Sequence, residues 1–120
     1  MEDLRLGVVE ARFADIVWEH APMTTRQLVD ICAKELNWKR PTTYTVLRKL
    51  CERGIFKMED SNVTVLIDRD EFYAIRGEQF VDDAFDGSLP AFIAAFTTRK
   101  QLTADEIDEI KKLVDQIGAK

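Results

Sequence analysis

Between Leu6 and Trp18 the apolar residues Leu6, Val9, Phe13, Ile16 and Val17 recur at three- and four-residue steps, which lines them along one face of a helix. This helix is expected to end near His20, ahead of Pro22. Met23-Thr24 reads as a short extended piece, and Thr25 stands as the N-cap of a second helix whose inward residues are Leu28, Ile31, Cys32 and Leu36. Asn37-Trp38 closes that helix. A third begins at Pro41, whose fixed φ and missing N–H suit a first helical turn, and runs to Gly54, which suits a left-handed stop. Its inward residues are Val46, Leu47 and Leu50.

After Gly54 the period changes. Residues 55–58 and 63–67 are short β-rich runs on either side of the polar stretch Glu59-Asp60-Ser61-Asn62, the pattern of a β-hairpin. Three short helices with an extended piece between the first two, then a hairpin, is the element order of a winged helix-turn-helix. The expected DNA-binding domain covers residues 1–68, and the fold class is mainly α with a small β-hairpin wing.

The remainder, residues 69–120, is predicted to be helical. Phe72, Ile75, Phe80, Val81 and Phe85 fall in one segment, and Leu89, Phe92, Ile93 and Phe96 in a second, with Gly87, Ser88 and Pro90 at the break. A last helix opens at Thr103-Ala104-Asp105-Glu106, a capping-box pattern, and presents Ile107, Ile110, Leu113, Val114 and Ile117 on one face. About 50 residues of helix cannot build a stable core alone. Pairing with a second copy is the simplest remedy, which makes Phe72, Ile75, Phe80, Phe85, Leu89, Phe92, Ile93, Phe96, Ile107, Ile110 and Val114 the expected dimerisation residues.

The chain has 120 residues with 17 basic and 22 acidic side chains, a net charge of −5. Taken whole, that argues against a polyanionic partner. Its distribution reverses the inference, because residues 1–66 balance at ten basic and ten acidic, and the whole excess lies beyond them. Within residues 38–58, Lys39, Arg40, Arg48, Lys49, Arg53 and Lys57 face Glu52 alone. That concentration on the second helix of a helix-turn-helix is the electrostatic footprint of a major-groove reader.

With Val46, Leu47 and Leu50 turned inward, Thr42, Thr45, Arg48 and Lys49 turn outward. Threonine can bond base edges and touch a thymine methyl, and arginine can bind guanine through two hydrogen bonds. Thr42, Thr45 and Arg48 are therefore the candidate base readers; Lys39, Arg40, Tyr44, Lys49 and Lys57 are the candidate phosphate contacts. Thr43 is expected to be packed or bonded to backbone. At the wing tip Glu59 and Asp60 would repel phosphate, which leaves Lys57 and the Ser61-Asn62 turn for any wing contact.

No run is apolar enough for a signal peptide or membrane span, so the sequence reads as a cytoplasmic protein. Two cysteines, Cys32 and Cys51, lie within helical segments and are expected as reduced thiols. With the single His20 and no Cys/His cluster there is no metal-ligand set, no cofactor is implied, and no nucleophile and base can be grouped by spacing. The chain is not expected to be an enzyme. Thiol or metal response could act only through Cys32, Cys51 and His20, with Cys51, beside Arg48 and Arg53, the better thiol candidate.

The order of these features resembles the BlaI/MecI-type penicillinase-repressor family. The likeness rests on Leu6 to Trp18 with Glu10 and Trp18 in step, on Met23-Thr24, on Trp38, on Thr42, Thr45, Leu47, Leu50 and Arg53-Gly54, and on Leu102-Thr103-Ala104-Asp105-Glu106-Ile107. It implies a dimeric repressor whose third helix enters the major groove of a pseudo-palindromic operator. Some family members are inactivated by a protease cut at an Asn-Phe bond in the dimerisation region. Here that position reads Ala95-Phe96, a candidate cleavage site without the asparagine, and the inducing protease is unidentified. Related copper-responsive repressors carry a Cys-rich C-terminal motif that this chain lacks, and Gly7 stands where the family often has a Ser cap. The competing reading is a winged-helix protein-interaction module that does not read DNA, favoured by the acidic total charge.

Overall fold

The computed structural model describes residues 4–118. Six helices and three short strands follow in the order α1 (Val8–His20), β1 (Met23–Thr24), α2 (Thr25–Leu36), α3 (Arg40–Glu52), β2 (Phe56–Glu59), β3 (Asn62–Val65), α4 (Arg69–Phe85), α5 (Leu89–Arg99) and α6 (Ala104–Gly118). The chain divides into two compact units, one running to Glu78 and one beginning at Gln79.

The first unit is a winged helix-turn-helix. Phe13, Ala14, Ile16 and Val17 of α1 pack with Leu28 and Cys32 of α2, Leu47 and Leu50 of α3, and Phe56 and Val63 of the sheet in one buried cluster. Val9, read from its spacing as inward, is 53% exposed. The helix begins only one residue earlier, so Val9 sits in a first turn that overhangs the core, and Leu4 contributes buried surface instead. The strands pair antiparallel in the order β1-β3-β2, with Met23 opposite Val63 and Phe56 opposite Val65. The hairpin turns through Asp60 and Ser61, both at positive φ (52° and 62°), the double left-handed geometry of a type I′ turn.

Helix α2 is capped by Thr24, one residue before the expected Thr25. Its hydroxyl accepts from the Gln27 N–H at 3.1 Å while Gln27 Oε1 accepts from the Thr24 N–H at 2.9 Å, a complete capping box. Thr25 is itself buried as the first helical residue. Asn37 ends the helix in the left-handed region (φ 57°), and Trp38 then stacks on Phe13 of α1 at 5.7 Å. That stack pins the turn between α2 and α3, and so fixes where α3 starts.

The first unit includes the opening turns of α4, beyond the boundary expected after residue 68. Phe72 is 1% exposed and so is not available to a second copy, which corrects it from a dimer contact to a core residue; Ile75 is half-buried against the same core. Their helical spacing identified an apolar face correctly but carried no information about which surface covers it. Trp18 holds this segment by donating its indole N–H to the Ile67 carbonyl at 2.9 Å and by ring contacts with Phe56, Phe72 and Tyr73. Arg69 adds an exposed ion pair to Asp15 at 3.1 Å and lies over the Tyr73 ring.

The second unit is packed differently. Phe80, Phe85, Phe92 and Phe96 form a chain of ring contacts with centroids 5.6 to 6.1 Å apart, yet no described residue from Gln79 to Gly118 is buried. Its helices are locally well specified. Ser88 caps α5 by accepting from the Ala91 N–H, after Gly87 at φ 78° has closed α4. The capping box expected at α6 is present, with Glu106 N–H to Thr103 Oγ1 at 3.1 Å and Thr103 N–H to Glu106 Oε1 at 3.0 Å.

Candidate nucleic-acid interface

Helix α3 starts at Arg40, with Lys39 as its N-cap and Pro41 in the first turn. Leu47 and Leu50 are buried and Val46 half-buried, which turns Thr42, Thr45, Arg48 and Lys49 into solvent and leaves Tyr44 half-buried at the edge. Thr43 is packed, and its hydroxyl donates to the Lys39 carbonyl at 3.4 Å. Thr45 also bonds its own helix, donating to the Pro41 carbonyl at 2.9 Å. Its hydroxyl proton is thereby committed, and what it offers outward is an acceptor lone pair and a methyl group.

The basic residues fall into two groups. Lys39, Arg40 and Arg48 have no ion-pair partner among the described residues, and all three are exposed at the N-terminal and outer side of α3. Lys49 and Lys57 are already matched. Lys49 Nζ lies 3.3 Å from Glu10 Oε2 on α1, and Lys57 Nζ lies 2.8 Å from Glu59 Oε2 on the same strand. The latter hydrogen bond and its charge hold the Glu59 carboxyl below, and the Lys57 ammonium above, their ordinary values. Both side chains are exposed, so the pair is weak and can open for a phosphate at low cost. Within the wing turn the Asn62 amide donates to the Asp60 carbonyl at 3.1 Å. Arg53 is drawn away from the groove-facing side, donating to the Arg5 carbonyl at 2.8 Å.

Glu10 is the residue whose part in this region had no signal in the local pattern. Its Oε1 accepts from the Gly7 N–H at 3.0 Å, supplying at α1 the half of a capping box that a glycine cap still permits. That backbone bond, followed by the charges of Lys49 and Arg53, holds its carboxyl below the usual glutamate value against the opposing effect of burial. Glu10 and Lys49 are 39 positions apart, and only the packing of α1 on the unit brings them together.

An open recess of about 630 Å³ beside Trp18 is lined by Asp15, Glu19, Asp68 and Asp70 with Arg69, an acidic surface that would repel phosphate. Burial pushes the Cys32 thiol up to about 11 and raises that of Cys51, the reverse of what a reactive thiolate requires. Cys51, the better thiol candidate from its basic neighbours, is thus disfavoured, because burial raises its thiol, the Glu52 charge adds to that, and only a backbone hydrogen bond at Met58 opposes them. Among the described residues no group of three or more His, Cys, Asp or Glu side chains could hold a metal ion, and no helix is long and apolar enough to cross a membrane.

In the second unit Phe80, Leu89, Ile93, Phe96, Ile107, Ile110 and Val114 are exposed, with Phe85 and Phe92 half-buried. Ala95 and Phe96 lie within α5, and the Ala95 carbonyl accepts from the Thr98 hydroxyl at 2.7 Å.

A winged helix-turn-helix with a threonine- and arginine-bearing third helix, extended by helices with unburied apolar faces, has the architecture of a DNA-binding transcriptional regulator. The chain matches the penicillinase repressor family over residues 6–116 and belongs to it. The penicillinase repressor of Bacillus licheniformis is 21% identical over 93% of this chain and 91% of its own length. The methicillin resistance regulatory protein MecI of Staphylococcus epidermidis is 16% identical over 92% of this chain and 94% of its own. Among solved structures, Staphylococcus aureus MarR in complex with salicylate and kanamycin aligns at 15% identity with a TM-score of 0.47, covering 94% of this chain and 71% of that one. Family membership makes this protein a DNA-binding transcriptional repressor and not an enzyme.

Proposed function

We propose that the protein acts in the cytoplasm as a homodimer on a pseudo-palindromic operator, with one α3 in the major groove of each half-site. The observation that carries this reading is the outer face of α3, where Thr42, Thr45 and Arg48 stand exposed with Lys39 and Arg40, the three cations having no ion-pair partner among the described residues. In this reading Arg48 donates to a guanine edge, Thr42 bonds a base or phosphate, and Thr45 accepts from a base amino group or packs its methyl on thymine. Lys39 and Arg40 hold phosphates, with Tyr44 at the rim. Lys49 and Lys57 contribute only where they release Glu10 and Glu59.

The need for two copies follows from the second unit. Its apolar side chains face solvent in the single chain, Leu113 at 56% and Ile117 at 68% exposed, and a self-complementary two-fold contact would bury them. The same symmetry would present two recognition helices to a two-fold related site. The domain assignment that goes with this reading is a DNA-binding part preceding a helical dimerisation part. Ala95-Phe96 is the position at which an inducing protease would cut.

A mobility-shift titration of the full chain against DNA upstream of its own coding region, at two salt concentrations, tests the proposal. Saturable binding to one site that weakens steeply with salt supports it. Binding no different from that to unrelated DNA favours a protein-interaction module instead.

A further inference from the structure

Of the contacts made by the outward residues of α3, the one to Glu10 is built unlike a surface ion pair. The carboxylate is fixed, because Oε1 is held by the Gly7 N–H at 3.0 Å and the side chain is only 21% exposed. Its other oxygen, Oε2, is sealed from water, accepts no hydrogen bond of good geometry, and faces the Lys49 ammonium at 3.3 Å. A shielded carboxylate oxygen with one cation in contact, and only the more distant charge of Arg53 besides, is costly to strip. Lys49, by contrast, is 59% exposed along its side chain and free to swing. The arrangement therefore has one immobile charge that needs the lysine and one mobile lysine that could go elsewhere.

We propose that Glu10 is a positioning residue that restrains the charge of Lys49, so that the recognition helix presents one cation fewer to DNA whose backbone does not meet it in register. This rests on the DNA-binding reading above. A phosphate away from the right place does not repay the shielded and then unmatched Glu10 oxygen, and Lys49 stays on Glu10 of α1. The device trims sequence-independent affinity, which is almost wholly a matter of phosphate neutralisation, while leaving Arg48 and the threonines untouched.

The test compares the full-length protein, Glu10→Gln, Lys49→Ala and the double variant for binding to a labelled 30-base-pair duplex of unrelated sequence, across about 50 to 200 mM salt. Glutamine keeps an acceptor for the Gly7 N–H and removes only the charge. The expected result is that Glu10→Gln binds several-fold more tightly, with a log–log salt slope steeper by about 0.9 per protomer. Lys49→Ala alone should change non-specific affinity less than twofold, and in the double variant it should abolish the gain. An unchanged slope in Glu10→Gln overturns the proposal, as does an equal loss from Lys49→Ala in both backgrounds. If the unaltered protein binds neither this duplex nor its own promoter DNA, the DNA-binding reading itself falls and the proposal with it.

Discussion

The two units of this chain bury their apolar residues to opposite degrees. The first closes a core of aromatic and aliphatic side chains with Phe13, Phe56 and Phe72 at or near zero exposure, and it does so within about 75 residues. The second has four phenylalanines and aliphatic stripes on three helices and buries none of them. Each has a helix opened by a complete capping box, α2 in the first and α6 in the second, so local propensity does not separate them. What separates them is whether the apolar face of each helix meets another within the same chain, and the second unit's surplus is the physical case for a partner copy.

The largest expected effect tests the closed half of this contrast. Phe13→Ala should cost about 3–5 kcal/mol of unfolding free energy, read as a lower denaturant midpoint at constant slope. A smaller loss would mean that the first unit is looser than its burial implies. Val114→Asp probes the open half, since a charge in a buried contact costs about 3 kcal/mol, roughly a hundredfold in the dimer dissociation constant. Sedimentation equilibrium should find it monomeric at concentrations where the parent is dimeric, with helical content unchanged. No change in assembly would remove α6 from the interface.

Smaller effects sharpen the picture of α3. Arg48→Ala should cost about 1–3 kcal/mol at one base position of the operator and leave discrimination at the others intact, measured by titrating single-base operator variants. Thr24→Ala should lower stability by about 1 kcal/mol through loss of the α2 cap. The smallest effect concerns acid. The folded-state value of Glu10 lies below its unfolded one, so its contribution is complete above the unfolded value of about 4.3 and fades as pH falls through the lower folded value. The stability difference between the parent and Glu10→Gln should be flat above about pH 5 and shrink below it, checked by thermal melts across that range.

Much of this was legible in the residues themselves, for reasons that are local. The three- and four-residue spacing in α1 to α3, the β-rich runs around residues 59–62 and the Thr103/Glu106 capping box each depend on neighbours within one element, and each was found close to its expected place. The outward face of α3 followed because three inward residues define the helix phase. Phe72 belongs to the core and not to a dimer contact because periodicity shows that a face is apolar but not what covers it. The Lys57–Glu59 pair could have been anticipated, since i and i+2 on a strand share a face. The Glu10–Lys49 pair could not, because its spacing is set by the packing of α1 in the folded unit.

Selection of bound duplexes from a random pool with the full-length protein addresses the central claim most directly. A two-fold homodimer reading DNA through α3 should enrich a pseudo-palindrome, with half-site centres about 10 base pairs, or a multiple of that, apart. Enrichment of an asymmetric single motif, or of no motif at all, would contradict it.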